Sequence, residues 1–135
     1  MRHAGAEAAT DVTGFGLLGH LHRMLLASGA AADLDAGVIP LLDPRVLTLA
    51  RSDVVPGGTK RNLAYVRMHT DFGDLPEPER LILADAQTSG GMLIAARHEP
   101  SLEAALRDHE VPFARIGEVA AGAPGAITVS GSLGR

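Results

Sequence analysis

An α/β fold with a mixed sheet is what this sequence predicts, and three observations predict it. Segments with apolar residues at helical spacing alternate with short apolar or β-branched runs. Glycine and proline punctuate the joins between them. Apolar residues make up 46% of the 135 positions, enough for a packed core without metal or disulfide staples. A chain of this length is one domain and buries roughly two-thirds of its unfolded surface. About four strands with helices between them are expected, in a sheet mixed in direction.

The elements follow in order. From Gly16, the residues Leu17, Leu18, Leu21, Met24 and Leu25 recur at helical spacing, and Gly29 is placed to end that helix in the left-handed conformation. "AADLDAGVIPLL" loosely alternates and carries Val38 and Ile39, which predicts a strand over 32–39. Pro40 and Pro44 bracket a turn into a short helix over 45–50. Residues 53–62 read as loop, because Pro56, Gly57 and Gly58 interrupt any period. Residues 65–79 are polar, acidic and proline-bearing, and read as an exposed connection. Pro78 suits the first turn of a short helix carrying Leu81, Ile82 and Leu83. "TSGGMLIAA" reads as a turn feeding a buried strand over 91–96. Ser101 is the N-cap candidate of a helix with Leu102, Ala105 and Leu106 on one face. "PFARIGEVA" and "AITVS" close the chain as two strands joined by "AGAPGA".

Composition excludes several function classes. Aromatics make up 3% with no Trp, too few for a nucleic-acid platform built on base stacking. Lys and Arg total 12 against 16 Asp and Glu, a net charge of −4, so no basic field draws phosphate backbones or anionic membranes. The absence of Cys excludes disulfides, thiolate metal sites and a cysteine nucleophile within these residues. No apolar run is long enough to span a membrane, and none of signal type follows Met1, so a cytoplasmic protein is expected.

Three stretches carry chemistry. "TDVTGFG" places Asp11, Thr13, Gly14 and Gly16 at the mouth of the first helix. Amides in a helix's first turn lack internal partners and lie at the positive end of its dipole. Glycines there let a phosphate approach, and a carboxylate just upstream suits Mg²⁺, which takes one or two protein carboxylates plus phosphate oxygens. The alternative is a plain cap by Thr13 or Asp11, with the glycines marking close packing. "PGGTKRN" presents Thr59, Lys60, Arg61 and Asn62 after two glycines, either to an anionic ligand or as an exposed basic turn. "DAQTSGG" sets Asp85, Gln87, Thr88 and Ser89 before a strand, as a polar ligand edge or a turn bonded to its own backbone. His20 and His22, two apart on a helix, point in different directions and do not chelate one ion together. One is expected on the solvated face and the other at its border.

Together and in this order, "ATDVTGFGLLGHL" at 9–21, "PGGTKRN" at 56–62 and "ADAQTSGGMLI" at 84–94 resemble the C-terminal domain of selenophosphate synthetases. The resemblance covers essentially the whole chain, with Ala86 standing where many members have Pro. It implies a three-layer α/β (α+β) fold of the AIR synthetase C-terminal type, partly ferredoxin-like, over 1–135. It also implies the selenide, water dikinase reaction: ATP, selenide and water give selenophosphate, AMP and orthophosphate. The product serves selenocysteine and selenouridine synthesis. Asp11 then becomes a Mg²⁺ ligand. Thr13, Gly14, Gly16, Thr59, Lys60, Asn62, Thr88 and Ser89 become candidates for the nucleotide cleft by motif membership. No catalytic nucleophile is present, since in the family it lies with most ATP and metal ligands in an N-terminal domain. The chain is thus expected to be inactive alone, cut within a helix linking the two domains, and a homodimer when complete. The alternatives are a non-catalytic assembly module pairing with a separate N-terminal half, or part of another ATP-using enzyme of the superfamily. No nucleic acid or membrane partner is expected.

Overall fold

Leu18, Leu21 and Leu25 do bury as one stripe, on helix α1 (Gly16–Ser28). The computed structural model describes residues 5–97 and 100–134. Ahead of α1 runs strand β1 (Ala6–Asp11), and after it β2 (Ala31–Asp35), α2 (Arg45–Arg51), α3 (Gly57–Val66) and β3 (Thr70–Asp71). Then come α4 (Glu77–Leu83), β4 (Met92–Ala96), α5 (Pro100–Asp108), β5 (Gly117–Ala120) and β6 (Ile127–Ser130). The mixed sheet has the order β3-β6-β2-β5, with β3, β6 and β2 parallel and β5 antiparallel to β2. β1 and β4 form a separate antiparallel ribbon, with Asp11 opposite Met92 and Ala9 opposite Ile94. The α/β prediction with a mixed sheet therefore holds.

The core joins the apolar stripe of α1 to Ala32 and Leu34 of β2, Leu63 and Val66 of α3, Leu81 and Leu83 of α4, and Ile127 and Val129 of β6. Burying a Leu or Ile side chain contributes about 1.5–3 kcal/mol, so this cluster dominates stability. Gly29 ends α1 as expected, at φ 66°, and the amides of Gly29 and Ala30 return to the carbonyls of Leu26 and Leu25. Glu79 on α4 is buried and holds the C-terminal segment. Its carboxylate accepts from the Leu133 amide at 2.7 Å and the Ser132 hydroxyl at 3.3 Å.

Several expectations are corrected. Residues 57–62 are not loop: they open α3, because Thr59, Leu63 and Val66 form a buried stripe and Pro56 occupies the N-cap position. Residues 65–79 are not simply an exposed connection, since Val66, Phe72 and Leu75 are core residues and Thr70–Asp71 adds a sheet strand. β2 stops at Asp35, whose carboxylate accepts from the Gly37 amide and turns the chain into a 3-10 turn, Ala36–Val38. β4 forms where predicted but is not buried, with Met92 exposed. Ser101 does not precede α5 but lies inside its first turn. The approach to Thr10 is strand β1, not a linking helix; residues 1–4 lie outside the described residues. Both closing strands form, β5 only over Gly117–Ala120, and they flank β2 on either side. His22 is buried, not at a solvated border: its Nδ1 lies 2.8 Å from the Gly125 carbonyl and its ring stacks on His69 at 4.1 Å.

Candidate functional site

The three sequence stretches meet where β1 leaves the ribbon and enters α1. Asp11 ends β1 with its side chain exposed, and no described residue bonds its carboxylate. Beyond it, the Thr13 carbonyl accepts from the amides of Gly16 at 3.0 Å and Gln87 at 3.1 Å, binding the first loop to the third. Gly16 is required by this contact. Its φ is +69°, and a Cβ there would sit 2.6 Å from the carbonyl carbon and oxygen of Ala84. Gly90 is equally constrained, since a Cβ would reach 2.0 Å from the Val12 carbonyl oxygen. Gly14 and Gly91 differ: a Cβ at either would meet nothing within 4 Å, so both border open space.

Thr13 does not cap α1. Phe15 takes the N-cap position without a side-chain bond, and the Thr13 hydroxyl instead shares a hydrogen bond with His20 Nε2 at 3.1 Å. The first-turn amides therefore keep no side-chain acceptor.

Helix α3 holds the two loops from beneath. Asn62 Nδ2 donates to the Gly14 carbonyl at 2.8 Å and to the Ala84 carbonyl at 3.1 Å, bridging the first and third stretches. Thr59 is buried. Its hydroxyl donates to the Asp85 carboxylate and accepts from the Ala86 amide at 3.3 Å, a bond that Pro at 86 would not make. Gln87 Nε2 donates to the other Asp85 oxygen at 3.3 Å. Lys60, two residues from Asn62, faces elsewhere: its Nζ lies 2.6 Å from Asp53. It lines a groove of about 440 Å³ with Leu63, Arg67, Glu77 and Leu81. Thr88 and Ser89 are exposed on the third loop, with no side-chain partner among the described residues.

The structure thus brings Asp11, Thr13, Gly14, Gly16, Asn62, Thr88 and Ser89 to one edge, places Thr59 beneath it and leaves Lys60 outside. Sequence reasoning named Asp85 and His20 but not the partners that give them a place in the site. Asp85 organises the third loop, yet its partner Thr59 is 26 residues away, beyond any local pattern. His20 sits seven residues from Thr13, and only the shape of the loop reveals their contact. Among the described residues no three His, Asp or Glu side chains gather to hold a metal. Asp11 is a single exposed carboxylate there, too few ligands to hold a divalent cation unaided.

A model of the family described as AIR synthase related protein, C-terminal domain, matches residues 2–130. This chain belongs to that family. Among AIR synthase related C-terminal domains it is similar to part of the selenide, water dikinase of Myxococcus xanthus (strain DK1622), at 51% identity over 88% of this chain and 34% of that protein. It is 46% identical to the selenide, water dikinase of Carboxydothermus hydrogenoformans, over 76% of this chain and 30% of the relative. The chain spans about a third of the length of the curated relatives it matches. The thiamine-monophosphate kinase of Stenotrophomonas maltophilia K279a shares the fold, with a TM-score of 0.54 at 22% identity over 97% of this chain and 33% of that structure. No helix of the described residues is long and apolar enough to cross a membrane.

Proposed function

We propose that this chain is the C-terminal third of a selenide, water dikinase, which forms selenophosphate from selenide, ATP and water and releases AMP and orthophosphate. The observation that supports the reading best is the meeting of "TDVTGFG", "GGTKRN" and "DAQTSGG" at one loop edge, around a carboxylate without a partner among the described residues. Magnesium, when bound, would neutralise phosphate charge and polarise the transferred phosphoryl group. Asp11 supplies one oxygen ligand, and a longer polypeptide supplies the others. Gly14 keeps the space beside the uncapped start of α1 clear for phosphate oxygens. Thr88 and Ser89 offer hydroxyl donors from the facing loop. Asn62 and Thr59 hold the two loops at a fixed separation, and Lys60 reaches an anion only by leaving Asp53. The complete enzyme is a cytoplasmic homodimer, and this chain alone turns over no ATP.

The test joins this chain to the N-terminal part of such an enzyme and measures selenide-dependent AMP formation. Asp11→Asn is expected to lower the rate at limiting Mg²⁺ at least tenfold, a loss of about 1.4 kcal/mol, while the unfolding midpoint stays put. An unchanged Mg²⁺ dependence would remove Asp11 from the metal site. Transfer of a phosphoryl group with ADP as product, and no AMP, would assign the chain to another member of the superfamily.

A further inference from the structure

Two histidines of α1 hold their protons differently, and the difference bears on the loop edge. His22 Nδ1 lies 2.8 Å from the Gly125 carbonyl, which only accepts, so that nitrogen carries the proton and Nε2 is bare. His20 is half-buried, and its Nε2 lies 3.1 Å from Thr13 Oγ1. No carbonyl or carboxylate among the described residues bonds its Nδ1. The carboxylates on elements around α1 are engaged elsewhere. Arg97 takes Glu7 of β1 and Arg67 takes Glu77 of α4. Leu133 takes Glu79, and Thr59 takes Asp85. With nothing to hold a proton at Nδ1, the neutral His20 ring places it on Nε2, where the Thr13 oxygen accepts it.

The ring is also braced. The Phe15 ring lies 5.6 Å from it, centroid to centroid, tilted by 53°, and the Arg23 guanidinium lies 5.6 Å from the Phe15 centroid. Phe15 reaches this position because residue 19 is glycine: a Cβ there would come within 2.8 Å of Phe15 Cβ. A glycine inside a helix is unfavourable, and here it makes room for the residue that braces His20.

A hydroxyl that accepts from His20 keeps its own proton to give. Thr13 Oγ1 takes no first-turn amide of α1, and beside it Gly14 borders open space. Phosphate oxygens are acceptors and bind where donors converge. We propose that His20 is a positioning residue, whose Nε2–H donates to Thr13 Oγ1 and so turns the Thr13 hydroxyl proton toward a phosphate oxygen of the nucleotide. With the opposite tautomer, Thr13 would donate to the ring and present only lone pairs, which repel phosphate. The inference rests on the reading of this edge as a phosphate wall given above.

The tautomer is read on this chain alone, and its consequence on the joined enzyme. In two-bond ¹H–¹⁵N spectra at about pH 8, where histidine is ordinarily neutral, His20 is expected to carry its proton on Nε2 and His22 on Nδ1. In the joined enzyme, His20→Leu and Thr13→Val should each raise the KM for ATP about fivefold, with kcat changed by less than about twofold. The double variant should lose about as much as either alone, and not the product of about 25-fold, since one residue acts through the other. His20→Gln, whose amide nitrogen can stand where Nε2 does, should keep the KM within about twofold of the unmodified enzyme. His20→Asn is too short to do so, and this pair carries the test if His20→Leu fails to fold. A proton on His20 Nδ1, losses that multiply, or equal KM values for the Gln and Asn variants would each overturn the proposal. A joined enzyme that yields ADP and no AMP would fail the dikinase reading alone, because the KM pattern is read with either product. If it turns over no ATP, calorimetric Kd values for the Mg²⁺ complex of ATP take the place of KM.

Discussion

Thr70 and Thr59 are both buried, and they make opposite demands on the residues around them. Thr70 Oγ1 has no hydrogen-bond partner among the described residues, while Thr59 Oγ1 bonds the Asp85 carboxylate and the Ala86 amide. A buried hydroxyl without a partner carries its desolvation cost uncompensated, and removing one partner of a satisfied pair strands the other. Thr70→Val is therefore expected to stabilise the chain by about 1 kcal/mol. Thr59→Val should destabilise it by about 2 kcal/mol, because Asp85 is left with only the long Gln87 contact. Urea unfolding of the two variants checks the sign of each. At this scale the sequence offered close packing as one reading of its glycines, and Gly16 bears that out against Ala84, whereas Gly14 borders open space. The sequence could not separate Thr59 and Asn62, which clamp the loops, from Thr88 and Ser89, which face solvent. Burial and partners many residues away decide that difference, and neither leaves a local pattern.

Helices α1 and α5 end alike on left-handed residues of very different cost. Gly29 has φ 66°, and Glu110 has φ 54° while its amide and that of Val111 return to Arg107 and Leu106. Glycine takes this conformation freely, whereas a residue with a Cβ pays roughly 1 kcal/mol or more. Glu110→Gly should raise stability by up to about 1 kcal/mol, and Gly29→Ala should lower it by about the same. Thermal melts of both variants provide the check. Elements whose apolar spacing and end signals agree, such as α1 and α4, could be read from the chain. α3 could not, because Gly57 and Gly58 argue locally against a helix that Thr59, Leu63 and Val66 secure through packing. β4 was read from its apolar run, but such a run looks the same whether it meets a core or an open edge.

The whole molecule is a four-stranded sheet carrying the core and a ribbon joined to that body through the loops and through Leu93, which packs against the core. The ribbon carries half-buried and exposed residues, whereas β2 and β6 hold Ala32, Leu34, Ile127 and Val129 in the core. Stability is therefore uneven, and the ribbon opens first. Hydrogen exchange should show the Thr10 and Leu93 amides exchanging through a smaller opening than those of Leu34 and Val129. Asn62→Ala should widen that gap, since the clamp on Gly14 and Ala84 is lost. Equal protection in sheet and ribbon would show one cooperative body instead. The buried Glu79 carries a separate lesson about where the folded unit stops. The family match ends at Ser130, but the groups that receive the Glu79 carboxylate lie at Ser132 and Leu133. A truncation drawn at the end of the last strand would leave a naked anion facing oil, so an expression boundary or fusion joint belongs after Gly134.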